Sequence, residues 1–190
     1  MRKMVAFEHL TLDGFASSGQ GMGFEWTFRA YSEELAAYGQ EHIQADFDMA
    51  VYGRATYLGM YDYWGGEHAG DGSEQERAHA EWVNAVDKAV CSTTLESADW
   101  NNTRLIRGDL AEEFTRLKDR PGGTIAVYAS PKLVHSLLDL KLIDEFRLVI
   151  HPVVIGSGTP LFPEKSALDL ELLESKSFAS GAVYVRYQVG

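Results

Sequence analysis

The chain has 190 residues, of which 45% are hydrophobic and 24% are charged, a composition that excludes a fibrous or largely disordered protein. Its 28 acidic residues outnumber its 17 basic residues, and the resulting net charge of −11 repels nucleic acid and anionic membrane surfaces. Cys91 is the single cysteine, and no apolar run reaches signal-peptide or transmembrane length, so the sequence predicts a cytoplasmic protein with one domain over residues 1–190.

Short apolar runs bounded by turn residues predict about eight β-strands. In chain order, these runs cover residues 4–12, 49–52, 89–92, 105–106, 124–128, 146–155, 170–174 and 182–189. Helical periodicity separates several of them, at residues 33–45, 110–120 and 131–140, which favours parallel β-α-β connections. The last run alternates apolar and polar residues and follows no helix, which is typical of antiparallel pairing. The sequence therefore predicts an α/β fold with a mainly parallel sheet and antiparallel C-terminal strands.

Residues 61–82 are rich in glycine and acidic residues before they become helical near Glu74. This composition predicts a flexible loop or lid. The segment contains His68 and His79 beside several carboxylates, a combination that is able to bind a cation. However, the chain has no His-x-His or His-x-x-x-His pair, so the sequence predicts no metal site.

The turn after the second strand carries a candidate anion site. Gly53 lies where the backbone must turn, and Arg54 and Thr56 open the following helix. A guanidinium beside the free N–H groups of a helix N-terminus suits a phosphate, because its planar fork donates two parallel hydrogen bonds. Arg54 therefore supplies positive charge in an otherwise acidic protein.

The strand at residues 124–128 ends in a similar way. Ser130 is a favoured N-cap residue and Pro131 suits the first helical position, so the strand is predicted to pass directly into a helix. The free N–H groups of that first turn form a second candidate phosphate site, and a capped helix that binds nothing is the alternative. On this interpretation, Ser130→Asp keeps the cap and places a like charge against the phosphate.

A third strand end carries the hydroxyl groups of Ser92, Thr93 and Thr94. Ligands of open α/β sheets bind outside the carboxyl ends of the strands. If these strands are parallel, the three strand ends form one binding edge.

Taken in order, these motifs resemble the dihydrofolate reductase-like family, and within it the branch that contains the riboflavin-biosynthesis reductase domain. LTLDGFAS resembles the first strand and the loop that covers the nicotinamide, and GRATY resembles the Gly-Arg-x-Thr phosphate turn. VCSTT resembles the strand end that holds the adenosine 2′-phosphate, and IAVYASPKLVHSLL resembles the strand and helix that cradle the pyrophosphate. The segment LIDEFRLVIHPVVIGSGTPLF is typical of the riboflavin-reductase branch.

The resemblance implies a three-layer α/β/α fold and an NADPH-dependent reductase whose substrate is a pyrimidine, a pterin or a ribosylaminopyrimidine. The cofactor-binding residues that it implies are Leu12, Gly14, Gly53, Arg54, Thr56, Ser92, Thr93, Thr94, Ala129, Ser130, Lys132 and Leu133. The family usually has a Gly-Gly pair where this chain has Ala129 and Ser130, so a less close approach of the backbone to the pyrophosphate is expected.

Two positions are candidates for a catalytic carboxylate. In true dihydrofolate reductases this group lies early in the helix before the Gly-Arg turn, where this chain has Glu33 and Glu34. We take Glu34 as the candidate, with solvated first-turn glutamates as the alternative. Asp13 is the second candidate, either as a substrate ligand or as a turn-forming residue before Gly14.

Two other functions stay open on the sequence alone. A non-catalytic NADP(H)-binding module would keep the phosphate turns but lack a substrate cleft, and a true dihydrofolate reductase is the other alternative. The aromatic residues that suit stacking on a substrate ring are Phe15, Trp26, Tyr31, Tyr57 and Trp64, and core packing explains part of this set equally well. The alternating strand AVYVRYQV is predicted to be an exposed edge, and together with the resemblance it predicts a homodimer.

Overall fold

The computed structural model describes residues 1–19, 23–66, 71–164 and 167–190, and these contain ten strands and five α-helices. The strands are β1 (Met4–Thr11), β2 (Phe15–Ser17), β3 (Phe47–Gly53), β4 (Asp87–Cys91), β5 (Thr103–Ile106), β6 (Thr124–Tyr128), β7 (Glu145–His151), β8 (Thr159–Pro160), β9 (Leu170–Ser177) and β10 (Val183–Val189). The α-helices are α1 (Glu33–Tyr38), α2 (Arg54–Trp64), α3 (Glu74–Ala85), α4 (Leu110–Lys118) and α5 (Pro131–Asp139). Each strand predicted from the sequence is therefore present.

Eight of these strands form one sheet in the order β5-β4-β3-β6-β1-β7-β10-β9. The strands from β5 to β7 in that order pair in parallel, whereas β10 pairs antiparallel with both β7 and β9. A short turn joins β9 to β10, and antiparallel pairing allows such a turn, whereas parallel neighbours need a crossover. The predicted mixed sheet with antiparallel C-terminal strands is confirmed.

Helices cover both faces of the sheet, which gives the predicted three-layer α/β/α fold. On one face, α4 and α5 bury Phe114, Leu133 and Leu137 against the sheet. On the other face, α1, α2 and α3 bury residues that include Leu35 and Tyr57. Right-handed crossovers explain the division, because the chain moves outward from β3 to β4 but back across the sheet from β6 to β7. None of the helices in the described part of the chain is long and apolar enough to cross a membrane.

Most element boundaries shift by up to three residues from the prediction, and three segments differ more. Strand β7 ends at His151, because Pro152 has no N–H to continue the ladder. The helical pattern at residues 33–45 divides into α1 and a π-helical turn, Gly39–Ile43. Within the predicted loop at residues 61–82, the first four residues complete α2. Residues 67–70, which include His68, lie outside the described residues.

Helix α3 begins at Glu74, where the sequence predicted helical structure. Ser73 caps this helix by accepting a hydrogen bond from the Glu76 N–H at 3.2 Å. The Glu76 carboxylate in turn accepts one from the Ser73 N–H at 2.6 Å. This reciprocal capping box fixes the Glu76 side chain at the N-terminus of α3.

The expectation that AVYVRYQV forms an exposed edge is wrong. This segment is β10, which is paired on both sides, and the edge strand at this end of the sheet is β9. Both segments have strand character, and local pattern does not fix the order of two neighbouring strands in a sheet. The exposed apolar side chains lie on β9 instead, at Leu170, Leu172 and Leu173.

Candidate functional site

Strands β3 and β6 are neighbours whose connections leave the sheet on opposite faces. After Gly53 the chain enters α2 on one face, and after Ser130 it enters α5 on the other. Where two adjacent parallel strands diverge in this way, a crevice opens at their carboxyl ends, and ligands of open α/β sheets bind there. We call the space between the Gly53 turn and the Ala129–Ser130 turn the crevice.

Side-chain hydroxyl groups join the two turns across the crevice. The Ser130 hydroxyl accepts a hydrogen bond from the Gly53 N–H at 3.0 Å and donates one to the Tyr128 carbonyl at 2.9 Å. The Thr56 hydroxyl donates to the Ala129 carbonyl at 2.7 Å. These bonds hold the N-termini of α2 and α5 side by side at the same edge of the sheet.

Ser130 occupies the N-cap position of α5 as predicted, but its side chain does not cap the helix. Its hydroxyl is engaged by Gly53 and Tyr128, so the expectation of a side-chain cap is wrong. Leu133 and Val134 donate their N–H groups to the Ser130 carbonyl, and Pro131 has no N–H. Among the first-turn residues of α5, Lys132 has an N–H that does not donate to the Ser130 carbonyl. Helix α5 therefore offers fewer free N–H donors than the sequence predicted.

Helix α2 offers more free donors than α5. Within the described residues, no side chain caps it, and Gly53 holds the N-cap position with an extended backbone. The first-turn N–H groups of α2 therefore face the crevice without a side-chain acceptor. Arg54, the first residue of α2, is exposed and makes no ion pair with the rest of the described chain. Lys132 adds a second exposed cation on the α5 side.

Ala129 lies at the base of the crevice in a conformation that favours glycine. Its φ is 46°, in the left-handed region. Two hydrogen bonds hold it there, because its N–H donates to the Phe7 carbonyl at 3.0 Å and its carbonyl accepts from Thr56. The alanine thus keeps a backbone geometry for which glycine would be the usual residue.

The turn after β4 lies at the same edge of the sheet, since β4 pairs in parallel with β3. The Ser92 hydroxyl is used within this turn, where it accepts hydrogen bonds from the N–H groups of Thr94 at 3.2 Å and Leu95 at 3.0 Å. Thr93 and Thr94 are exposed. The hydroxyl groups of Thr93 and Thr94 are thus more accessible to a ligand than that of Ser92.

Arg107 is a residue of this edge that the motif reasoning missed. It follows β5 directly, and its guanidinium donates to the carbonyls of Leu95 and Glu96, the latter at 2.7 Å. The sequence signal that would have identified it is a basic residue immediately after a predicted strand. Arg107 brings a third cation to the carboxyl edge of the sheet.

The turn between β1 and β2 carries Leu12, Asp13 and Gly14. Asp13 accepts hydrogen bonds from the N–H groups of Ile155 at 3.2 Å and Gly156 at 2.8 Å. Its pKa is lowered, first by a hydrogen bond with the Thr11 side chain and then by these backbone donors. Gly14 has a φ of 84°, which the turn requires. The geometry gives Asp13 a structural role in holding this turn, and its catalytic role stays a prediction.

Leu12 and Leu133 occupy contrasting positions at this edge. Leu12 is 68% exposed at the tip of the turn after β1. Leu133 is buried under α5. The first is free to cover a ligand, whereas the second supports the helix from below.

The two candidate glutamates of α1 point in different directions. Glu34 lies 3.3 Å from the Lys176 ammonium and accepts a hydrogen bond from the Ala179 N–H at 3.4 Å. These partners belong to β9 and the turn after it, on the side away from the crevice. Glu33 instead lines a cavity between α1 and α3. Adjacent positions in a helix face about 100° apart, and the sequence did not identify which one faces the cavity.

A cavity of about 230 Å³ lies between α1 and α3 and is called the α1–α3 cavity below. Its lining includes Tyr31, Glu33, Trp64, Glu76 and His79. The His79 ring lies 4.8 Å from the Trp64 ring and 6.3 Å from the Tyr128 ring, measured between centroids. Since Tyr128 is the last residue of β6, His79 links the cavity to the crevice.

The cavity is acidic and aromatic. Burial lowers the pKa of His79 to about 4, so its imidazole is neutral at physiological pH. Burial, followed by the charge of Glu76, raises the pKa of Tyr31. The described lining contains two acidic side chains, Glu33 and Glu76, and no lysine or arginine.

Two histidines, of which His151 is buried and His9 partly buried, lie in contact where β1 and β7 run side by side. His9 Nδ1 is 2.8 Å from His151 Nε2, and His151 is 1% exposed. Burial lowers the pKa of His9 to about 3, with a further contribution from His151 and His79, and burial lowers that of His151 to about 4. Both rings are therefore neutral in the folded protein at pH 7.

The aromatic residues predicted to stack on a substrate fall into two groups. Tyr31 and Trp64 line the α1–α3 cavity. Trp26 and Tyr57 are buried, and the Tyr57 hydroxyl accepts a hydrogen bond from the Trp100 N–H at 2.9 Å. Phe15 belongs to the short strand β2. Core packing thus explains Trp26 and Tyr57, whereas Tyr31 and Trp64 face the cavity.

Comparison with known proteins identifies relatives along the whole chain. The model of the RibD C-terminal domain family matches residues 2–184. The uncharacterized protein YyaP of Bacillus subtilis is 31% identical over 189 residues, covering 98% of this chain and 94% of YyaP. YwjB from the same organism is 39% identical over 190 residues, covering 98% of this chain and 97% of YwjB.

Solved structures with this fold are more distant in sequence. A protein named for riboflavin biosynthesis from Shewanella sp. PV-4 has a TM-score of 0.75 at 19% identity, with 99% of each chain covered. Dihydrofolate reductase from Enterococcus faecalis, complexed with NADP(H), has a TM-score of 0.64 at 12% identity over 99% of this chain and 96% of that one. A Thermotoga maritima deaminase and 5-amino-6-(5-phosphoribosylamino)uracil reductase has a TM-score of 0.66 at 13% identity, and this chain spans 57% of it. At these identities the likeness establishes the fold.

Proposed function

Because the chain belongs to the family of RibD C-terminal domains, we propose that residues 1–190 form one reductase domain that transfers hydride from NADPH to a pyrimidine, a pterin or a ribosylaminopyrimidine. The observation that carries this proposal is the junction of two sites at Tyr128. The crevice has helix N-termini and exposed cations, which suit an anionic cofactor, and the adjoining α1–α3 cavity has flat aromatic walls, which suit a ring.

The residues of the crevice fit the phosphates of NADPH. The first-turn N–H groups of α2, with Arg54 and Lys132, are the donors for the pyrophosphate. Arg107 and the exposed hydroxyl groups of Thr93 and Thr94 are the donors for the 2′-phosphate. In a chain with a net charge of −11, this concentration of cations at one edge supports a local role in anion binding.

The remaining crevice residues shape the site. Thr56 and Ser130 hold the two turns together, and Ala129 sets the path of the backbone at the base. The Leu12–Gly14 turn, held by Asp13, is proposed to cover the nicotinamide, with the exposed Leu12 side chain excluding water.

NADPH, when bound, supplies the hydride, and the protein contributes alignment and exclusion of water. His79, which packs against Tyr128, adds no charge to the junction at pH 7, because burial lowers its pKa to about 4. Since hydride transfer asks the protein mainly for alignment, the proposal does not depend on a strong catalytic acid, and Glu34 and Asp13 stay predictions in that role.

Titration calorimetry with NADPH, followed by an absorbance assay of nicotinamide oxidation, tests this function. We expect binding of NADPH and turnover with at least one compound among uracil-type pyrimidines, pterins and ribosylaminopyrimidines. Binding without turnover on the whole panel would favour the non-catalytic module. Turnover confined to dihydrofolate would favour a true dihydrofolate reductase, a protein whose Enterococcus faecalis example has this fold.

A homodimer is part of the proposal and is now assigned to the edge strand β9. Leu172 is 54% exposed there, beside Leu170 and Leu173, and the strand has free backbone groups on its outer side. Light scattering is expected to give twice the chain mass of 21.1 kDa at micromolar concentration, and Leu172→Lys is expected to shift it toward the monomer. A mass of one chain for the wild type would contradict the dimer.

A further inference from the structure

A row of ring side chains runs from the α1–α3 cavity to the carboxyl end of β1. His79, which lines the cavity, packs against Tyr128 at 6.3 Å, measured between ring centroids. Tyr128 contacts Phe7 at 4.9 Å, and Phe7 contacts His9 at 5.5 Å. Phe7 and His9 are alternate residues of one strand, so their side chains share a face of the sheet. The row therefore leads from the cavity, where the substrate ring is proposed to bind, to His9.

His9 is the open end of this row. Phe7 and Tyr128 are buried, whereas His9 is only partly buried. Its Nδ1 lies 2.8 Å from His151 Nε2, and its Nε2 has no hydrogen-bond partner among the described residues. This Nε2 keeps access to solvent, whereas Nδ1 of His151 is enclosed and unpartnered within the described chain. One ring nitrogen of His9 is thus available to a ligand.

The contact between the two histidines fixes where their protons lie. A nitrogen–nitrogen distance of 2.8 Å needs one proton between the rings, and both rings are neutral at pH 7, because burial lowers the pKa of His9 to about 3 and that of His151 to about 4. If His9 were the donor, His151 would carry its proton on the enclosed Nδ1, and a buried N–H without an acceptor is rare and destabilising. His151 Nε2–H therefore donates to His9 Nδ1, and His9 carries its own proton on Nε2.

A neutral N–H at this position suits a carbonyl oxygen. It donates a hydrogen bond but carries no positive charge, so it lacks the extra attraction that a cation has for a phosphate or a carboxylate. A ring amino group gives this N–H no good acceptor, whereas the oxo groups of uracil-type and pterin-type rings do. The chemistry that matches His9 is thus a neutral ring with an oxo group.

We propose that His9 is a substrate-recognition residue whose neutral Nε2–H donates a hydrogen bond to a carbonyl oxygen of the bound ring. His151 is a positioning residue, because it holds His9 in the tautomer that presents this donor. The inference rests on the proposed function, since it treats the bound ring as the substrate of the reductase. It narrows the substrate class to rings with an oxo group that points toward the end of β1.

Nuclear magnetic resonance tests the tautomer without any ligand. In a long-range proton–nitrogen correlation spectrum at pH 7, we expect His9 to show an unprotonated Nδ1 and a protonated Nε2. His151→Phe removes the donor and is expected to leave His9 as a mixture of both tautomers. The opposite tautomer in the wild type, or an unchanged His9 spectrum in His151→Phe, would overturn the proposal.

Two pteridines of similar size separate recognition from packing. Pteridine-2,4-dione carries oxo groups where 2,4-diaminopteridine carries amino groups, and calorimetry measures the affinity of each with and without saturating NADPH. We expect His9→Phe to weaken binding of the dione about tenfold and binding of the diamine less than about twofold. His9→Gln is expected to restore most of the dione affinity, because the glutamine amide also donates from its Nε2. Equal losses for both compounds, or no loss for either, would contradict the proposal.

His42→Phe is the matched control, because His42 is exposed on the π-helical turn and lies outside the row. It is expected to leave both affinities unchanged, and thermal unfolding checks the fold of each variant. If His9→Phe does not fold, the wild type still decides the question, because the dione is expected to move the His9 Nε2 resonance and not that of His42. An unmoved His9 resonance at saturating dione, or no binding of the dione at millimolar concentration, would count against the proposal.

The two proposals fail separately in this design. If NADPH does not bind the wild type, the reductase function fails, while the spectra and the titrations without NADPH still decide the role of His9. If NADPH supports turnover of an oxo-substituted ring with the same kcat and KM in His9→Phe as in the wild type, the reductase stands and the recognition role is wrong.

Discussion

The crevice between β3 and β6 and the cavity between α1 and α3 meet at Tyr128, yet they carry opposite charge. The crevice has Arg54 and Lys132 exposed at two helix N-termini, whereas the cavity has Glu33 and Glu76. Fields of this kind act locally, because water and salt screen exposed charges beyond about 10 Å. A chain with a net charge of −11 is therefore able to offer an anion site and an adjacent site that repels anions.

The two regions are also held together differently. Hydrogen bonds from Ser130 and Thr56 fix the crevice, so its geometry depends on a few polar atoms. Contacts between aromatic rings fix the inner end of the cavity, where His79 packs against Trp64, Trp82 and Tyr128. The crevice is thus expected to respond to loss of single hydroxyl groups, and the cavity to protonation of its buried histidine.

The largest expected effect of a single substitution is on acid stability, and His79 is the residue of the cavity that contributes to it. Burial lowers the pKa of His79 to about 4, whereas a histidine in the unfolded chain has a pKa near 6.5. Between about pH 6.5 and pH 4 the unfolded state therefore binds a proton at this histidine, whereas the folded state does not. The contribution of His79 to the free energy of unfolding is fully present above about pH 6.5. It is lost as the pH falls toward 4, and the total loss is on the order of 3 kcal/mol.

His79→Gln is expected to reduce this dependence, which denaturant unfolding between pH 7 and pH 4.5 measures. The slope will not vanish, because His9 and His151 are also held neutral by burial. His42→Gln is the control, since His42 is exposed on the π-helical turn. An unchanged slope in His79→Gln would mean that the ring is not buried as described, and the contrast between the two regions would weaken.

The crevice was more predictable from the sequence than the cavity, for a physical reason. Each of its parts is a local signal, an apolar run followed by a turn residue and a helix start, and parallel pairing of the strands brings them to one edge. Gly53, Arg54 and Ser130 were found in this way, although the partners of the Ser130 hydroxyl were not, because they belong to a contact between two turns 77 residues apart.

The cavity combines α1, the end of α2 and the start of α3, which only tertiary packing brings together. The sequence placed Glu76 and His79 just after the predicted helix start near Glu74 without showing what they face, and it offered Glu33 and Glu34 without their orientation. The order of the two C-terminal strands in the sheet is also decided by tertiary packing. The pattern predicted both β9 and β10, but the sheet, and not the pattern, decides which one lies at the edge.

The next largest effect is expected at the crevice, whose exposed side chains are positively charged. Arg54→Ala is expected to weaken NADPH binding by about 1.5 to 3 kcal/mol, roughly tenfold to a hundredfold, because it removes a charge-assisted contact to phosphate. We expect a smaller loss for NADH. Titration calorimetry with both cofactors measures this, with Arg116→Ala as the control on α4, where the arginine pairs with Glu112 and Glu113. Small and equal losses for both cofactors would remove Arg54 from the phosphate site.

A smaller effect is expected at the hydroxyl that joins the two turns. Ser130 is 3% exposed and serves both Gly53 and Tyr128, so Ser130→Ala is expected to cost about 1 to 2 kcal/mol of unfolding free energy. Ser130→Asp is expected to cost more, because it buries a carboxylate, and this revises the expectation that aspartate keeps a cap there.

Urea unfolding of both Ser130 variants, beside Asp109→Ala, separates the two roles of a residue before a helix. Asp109 is a true side-chain cap of α4, accepting from the Glu112 N–H at 2.9 Å, and its loss is expected to cost about 1 kcal/mol without changing NADPH affinity. Ser130→Ala, by contrast, is expected to lower both stability and NADPH affinity. A Ser130→Asp variant as stable as the wild type would contradict the description of the crevice.

The smallest effect is expected at Ala129, whose φ of 46° is a geometry that glycine adopts without strain. Ala129→Gly relieves about 1 kcal/mol of strain but adds 0.5 to about 1 kcal/mol of entropy to the unfolded chain, so stability should change by less than about 0.5 kcal/mol. Lys141, with a φ of 55°, is the matched control, because Lys141→Gly makes the same exchange outside the crevice.

If the Ala129 methyl group holds the pyrophosphate away from the backbone, Ala129→Gly alone should raise NADPH affinity, by about threefold. Equal affinities in the two variants and the wild type would mean that the crevice binds through its side chains, with Arg54 and Lys132 in the leading role, and that the path of the backbone at Ala129 contributes little.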